Sequence, residues 1–154
     1  MYVILYFQGR EIDRMIVDSI EDLRDLQDFE FKIVDPEEKQ WYATDLHHLT
    51  VENDLYRHVV KTGKFHQIVL MTLKPGEDIG MEVHPDTDQF IRIEGGRGKA
   101  IIDGDAFMLQ EESAINIEAG SKHNIVNTGD EPLKLYTIYS PPHHSEGLVQ
   151  PNKP

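Results

Sequence analysis

The chain has 154 residues, 15 Lys+Arg against 28 Asp+Glu, a formal net charge of −13 and no cysteine. This length supports one compact domain burying roughly 70% of its unfolded surface without disulfide or metal staples. The acidic balance argues against nucleic-acid and anionic-membrane partners, which require cationic patches. The missing cysteine excludes thiol catalysis, disulfides and zinc–thiolate sites. No run of about 18 apolar residues exists. Residues 1–7 are apolar but lack the basic flank and small-residue cleavage site of a secretion signal, so a cytoplasmic location without membrane association is expected.

Residues 1–53 form a mixed, acidic N-terminal extension, and residues 54–154 a strand-rich domain. In the extension, Tyr2–Phe7 reads as a strand, Gly9 as a turn, and residues 11–17 as a second strand. Ser19 is a helix N-cap with Asp22 in the capping-box position, and Ile20, Leu23 and Leu26 share one face of a helix over residues 19–28. Phe29, Phe31 and Ile33 alternate with polar residues as a third strand. Trp41-Tyr42 reads as an apolar anchor, and the adjacent pair His47-His48 as solvated loop.

From about residue 55 to 140, turn signals recur roughly every ten residues: Pro75-Gly76, Gly95-Gly96, Asp103-Gly104, Ala119-Gly120 and Thr128-Gly129. Apolar, β-branched runs lie between them, including Gln67–Leu73, residues 90–93, 99–102 and 133–139. Strands at this spacing without intervening helices predict an all-β antiparallel sandwich or barrel. The tail from Pro141 reads as loop, its His143-His144 pair as solvated. Gly95-Gly96-Arg97-Gly98 has no following helix or Walker lysine and reads as a hairpin turn, not a phosphate loop; no serine nucleophile elbow is present.

The chemistry concentrates in residues 76–96, GEDIGMEVHPDTDQFIRIEGG. Glu82 and His84 are two apart on a strand, so their side chains share a face. A turn at Pro85 then returns the chain to Gln89, and His123 follows another glycine turn in GSKHNIVN. A carboxylate, an amide oxygen and two imidazoles suit a divalent Zn, Mn, Fe, Co or Ni ion, so Glu82, His84, Gln89 and His123 are the candidate metal ligands. His66, on the run FHQIVLMTL, is a candidate proton-transfer residue, as is a tyrosine of the last strand. Tyr136 and Tyr139 lie on opposite faces of that strand, and Tyr139 is the candidate taken forward.

These residues carry a resemblance. Gly76, five residues, Glu82-Val83-His84, four residues, Gln89, six residues and Gly96 resemble the first motif of the cupins; Gly120, two residues, His123, three residues and Asn127 resemble the second. LMTLKPGE, EVHPDTDQFIRIEGG, NTGDEPLKLYTIY and SPPHH are similar to the short single-domain cupins described as mannose-6-phosphate isomerase-like. The resemblance covers about 95 of the 154 residues and leaves 1–53 outside it. Glu82 stands where the family carries its first motif histidine, and Gln89 where it carries its glutamate. Glu112 and Glu118 replace a motif glycine and proline. The ligand set therefore keeps one formal negative charge with the positions permuted, a composition also resembling that of type I phosphomannose isomerases.

The resemblance implies a jelly-roll barrel and a metal-binding protein acting on a small-molecule ligand. The leading expectation is a metal-dependent, isomerase-like enzyme for a sugar or sugar phosphate. An Fe(II)-dependent oxygenase and a non-catalytic small-molecule binding or sensing module remain as alternatives, because fold does not settle chemistry. Cupins commonly pair, and Tyr2–Phe7 is a candidate edge strand, so a homodimer involving the first 35 residues is expected.

Overall fold

The computed structural model describes the backbone of Tyr2–Phe7, Arg10–Ile16, Glu30–Val34 and residues 42–154, with side chains from Tyr42 onward. The chain divides into two compact units, Met1–Ala43 and Thr44–Pro154.

In the first unit, β1 (Tyr2–Phe7), β2 (Arg10–Ile16) and β3 (Glu30–Val34) form an antiparallel sheet in the order β2-β1-β3. All three match the strands read from alternation. The reading of Tyr2–Phe7 as an edge is corrected. Tyr2 pairs with both Ile16 and Val34, so β1 is the central strand and its backbone groups are taken on both sides. The helix expected over residues 19–28, the Gly9 turn and Trp41 lie outside the described residues.

The second unit opens with a helix that the sequence reading missed, α1 (Leu46–Glu52), which contains His47 and His48 rather than leaving them in a loop. Asp45 caps it: its carboxylate accepts from the His48 backbone N–H at 2.9 Å, satisfying one of the donors a helix start leaves open. His47 Nδ1 then meets the Glu94 carboxylate at 2.6 Å, joining the helix to the sheet. This helix lies within the second unit.

Ten strands follow: β4 (Arg57–Thr62), β5 (Gln67–Leu73), β6 (Glu82–Val83), β7 (Asp88–Gly95), β8 (Arg97–Ile102), β9 (Asp105–Gln110), β10 (Ala114–Ile117), β11 (Lys122–Asn127), β12 (Leu133–Ser140) and β13 (Val149–Gln150). They make two antiparallel sheets, in the orders β10-β7-β12-β5-β4-β13 and β6-β11-β8-β9. This is the all-β antiparallel architecture expected from the turn spacing. Alternate residues face the inside: Val69, Met71 and Leu73 on β5, Ile91 and Ile93 on β7, Leu133 and Leu135 on β12, and Ile125 on β11. Each fully buried side chain of this kind stabilises the fold by about 1.5–3 kcal/mol.

Gly96, between β7 and β8, has a φ of 83°, and a Cβ there would lie 2.4 Å from the Pro132 carbonyl oxygen. Only glycine fits that turn. Among the described residues, no helix is long and apolar enough to cross a membrane.

Candidate metal centre

Strand register assembles the site. Tyr139 on β12 pairs with Gln67 on β5 and with Gln89 on β7, so three side chains form one row across the six-stranded sheet. All three are buried, on the face shared with the core. Across the four-stranded sheet, Glu82 on β6 pairs directly with His123 on β11. Val83 is exposed and His84, the next residue, is buried, which is the alternation that puts Glu82 and His84 on one face.

Glu82, His84 and His123 each offer a donor atom, and these atoms lie within 4.8 Å of one another. Two ligands about 2.1 Å from one ion lie at most about 4 Å apart, so a small side-chain closure completes such a site. Two features show that these residues fit a cation. The first is His84 Nε2, which is buried without a hydrogen-bond partner. It lies 3.4 Å from a Glu82 oxygen but without hydrogen-bond geometry.

The second is His123, flanked by two acceptors. Its Nδ1 is 3.0 Å from the Ser121 carbonyl oxygen and its Nε2 is 2.9 Å from Gln89 Oε1. Gln89 Nε2 is directed at the hydroxyls of Thr137 and Tyr139, both at 3.1 Å, which orients the amide oxygen toward the imidazole. A neutral imidazole has one N–H for these two acceptors. With that proton on Nδ1, the Nε2 lone pair faces the Gln89 amide, and the two side chains converge where a cation would take both as donors. The fourth sequence candidate, Gln89, is thus brought to the cluster alongside the three.

Burial pushes the His84 imidazole down to about 4, with the neighbouring His143, His123 and Arg57 acting in the same direction. The ring is therefore neutral near pH 7, the form a metal ligand must take. Burial, reinforced by the Glu82 carboxylate, raises the Tyr139 phenol well above its usual value. It stays protonated, and its oxygen accepts from Gln89 Nε2.

His66 falls elsewhere. It is exposed, in the turn before β5 rather than on the strand, with its ring set against Gly63. The sequence run FHQIVLMTL extended the strand by one alternation too many; the structure gives His66 no place in the cluster.

Two residues that sequence reasoning set aside do reach it. The His143 ring lies 4.2 Å from His84, centroid to centroid, and stacks on Tyr139 at 5.4 Å. His144 meets Tyr139 edge-on at 4.9 Å. Gln67 pins them: its Oε1 accepts from the backbone N–H groups of His143 (3.3 Å) and His144 (2.9 Å), and its Nε2 donates to the His144 carbonyl at 2.8 Å. Both remain in loop and His143 is exposed, as read from the sequence; His144 is half-buried, which corrects the solvated reading for that residue. The phrase SPPHH was the one available signal, because a loop contact with no periodicity leaves no pattern.

The chain belongs to the cupin family. The cupin domain matches residues 69–139, a span containing Glu82, His84, Gln89, His123 and Tyr139. The chain is 45% identical over 118 residues to the uncharacterized protein YrkC of Bacillus subtilis, an overlap that spans 73% of this chain and 63% of YrkC, less than two thirds of that relative's length. The crystal structure of BH2720 from Bacillus halodurans superposes with a TM-score of 0.74 at 38% identity, covering 79% of this chain and 96% of that one. The link to mannose-phosphate proteins is distant: mannose-1-phosphate guanylyltransferase of Escherichia coli is 30% identical over 107 residues, 66% of this chain but 22% of that protein.

Proposed function

We propose that the second unit is a divalent-metal enzyme, isomerase-like in chemistry, acting on a small polar molecule such as a sugar or sugar phosphate. Glu82, His84, Gln89 and His123 hold the ion in this reading. The observation that carries it is the buried, unpartnered Nε2 of His84 beside Glu82, with His123 in the same cluster and Gln89 against it. The bound ion supplies Lewis-acid polarisation of a carbonyl or hydroxyl. Tyr139, kept protonated by burial, donates a hydrogen bond to substrate oxygen, and the His143 ring closes over His84 and limits water. The distant likeness to a mannose-1-phosphate guanylyltransferase supports a phosphosugar among the candidate substrates. A homodimer through the first 35 residues belongs to the same proposal, with β2 and β3 as the outer strands of the described sheet.

The test begins with the metal content of protein purified without a metal-affinity column. Thermal melts with Mn²⁺, Zn²⁺, Fe²⁺, Co²⁺ or Ni²⁺ follow, on the parent and on His123→Ala. The expected result is a metal-dependent rise in the parent alone. Equal shifts in both, or in neither, abolish the metal reading and leave a binding module. Interconversion of mannose 6-phosphate and fructose 6-phosphate, followed by NMR on the loaded protein, tests the isomerase chemistry; O₂ consumption with iron would replace it by the oxygenase. Sedimentation as a monomer at micromolar concentration rejects the dimer.

A further inference from the structure

A second charged group shares the interior. Arg57 opens β4, pairs in register with Met71, and so faces inward with the core. It is only 9% exposed, and its Nε is buried with no hydrogen-bond partner. Its Nη1 donates to Gln150 Oε1 at 2.9 Å, and the guanidinium lies 5.2 Å from the Tyr56 ring centroid. Among the described residues, no carboxylate lies within ion-pair distance of it. A buried guanidinium without a counter-ion is costly, and folded proteins rarely keep one unless something completes it. Its register partner Met71 lies on the same inward face of β5 as Gln67, so Arg57 faces the interior that the cluster also lines. With a divalent ion balanced only by Glu82, that space carries net positive charge before Arg57 adds its own. It does so inside a chain whose formal net charge is −13.

We infer that Arg57 is the anchor for an anionic substituent of the molecule that occupies the site, so the substrate class is a small organic acid or phosphate ester rather than a neutral polyol. This inference rests on the metal-enzyme reading for the position of the reacting group, but not for its own charge pairing. The planar guanidinium edge carrying Nε matches a carboxylate or phosphate oxygen pair, a geometry that a lysine ammonium does not reproduce. Gln150, held opposite Arg57 in the β4–β13 pairing, fixes the other side of the group.

The experiment compares matched ligands on the full chain, with and without saturating Mn²⁺: glucose as the neutral probe, glucuronate as the carboxylate, glucose 6-phosphate as the phosphate. Thermal melts and calorimetric titration are expected to show binding of at least one anion and none of glucose. Which anion binds identifies the substituent. Arg57→Met should weaken that anion at least tenfold, Arg57→Lys by less, and Mn²⁺ uptake read by electron paramagnetic resonance should be unchanged in both. Ligand-free Arg57→Met should melt no lower than the parent, since an unpaired buried charge has been removed. A clear fall there makes Arg57 a structural residue and overturns the inference, as does equal binding of glucose and the anions, or an anion response retained in Arg57→Met. Mn²⁺ binding without any anion response defeats this inference alone. An Arg57-dependent anion response without Mn²⁺ binding defeats the metal reading alone.

Discussion

Along single strands the interior of the second unit changes character. On β12, Leu133 and Leu135 give way to Thr137 and Tyr139; on β7, Ile93 and Ile91 give way to Gln89; on β5, Leu73, Met71 and Val69 give way to Gln67. All of these side chains are buried, so burial does not separate the two ends. What separates them is satisfaction. The apolar end packs carbon on carbon and is complete in itself. The polar end holds imidazoles, amides and a phenol, with His84 Nε2 and His144 Nε2 left without partners; Arg57 Nε, on the strand position opposite Met71, is unpartnered too. The first end stabilises the sandwich, and the second holds unpaired donors and acceptors that a ligand can complete.

The largest effect that tests this contrast lies at the apolar end. Leu135→Ala should destabilise by about 2–5 kcal/mol through lost burial and a cavity, because Leu135 is 1% exposed. Metal uptake by the folded fraction should be unchanged; a large loss of metal in denaturant-free buffer would show that the two ends are not separable.

At the polar end, His84→Ala and His123→Ala should each remove most of the metal, and with it the roughly 2.7 kcal/mol that an ion at 100-fold its Kd contributes. Gln89→Glu should retain or tighten the metal by adding a carboxylate donor, and Glu82→Gln should weaken it by removing the one charged ligand. Metal titrations followed by melts rank the four variants, and a Glu82→Gln chain binding as tightly as the parent would contradict the ligand assignment.

Gln67→Ala should cost about 1–3 kcal/mol, because it strands the backbone groups of His143 and His144 that the amide satisfies. Faster hydrogen exchange at those two amides would report the released loop; unchanged exchange would mean that other contacts hold it.

A further effect concerns acid. His84 and His144 are both pushed down to about 4, chiefly by burial, while an unfolded imidazole titrates near 6.5. Between those values the unfolded chain binds protons that the folded chain refuses, so the metal-free protein should lose stability as pH falls below about 6.5 and show no contribution from these groups above it. His144→Phe should flatten this slope in EDTA-treated protein, measured as midpoint against pH. An unaltered slope would return His144 to solvent.

Apolar, β-branched runs bounded by turn residues place β5, β7, β8 and β12, because such runs between turns are the local signature of strands. Residue order also holds the Glu82–His84 spacing and the turn that returns to Gln89, since both are local geometry. The pairing of Glu82 with His123 and the row through Gln67, Tyr139 and Gln89 were decided by sheet register across dozens of residues. His66 is exposed because it precedes β5 and is out of phase with the inward-facing Gln67, and β1 became central because β3 returns to its free side. Arg57 carried no motif at all, and His144 only the phrase SPPHH. Their roles arise from which atoms the folded chain leaves buried without partners, a property of three-dimensional packing with no counterpart in residue order.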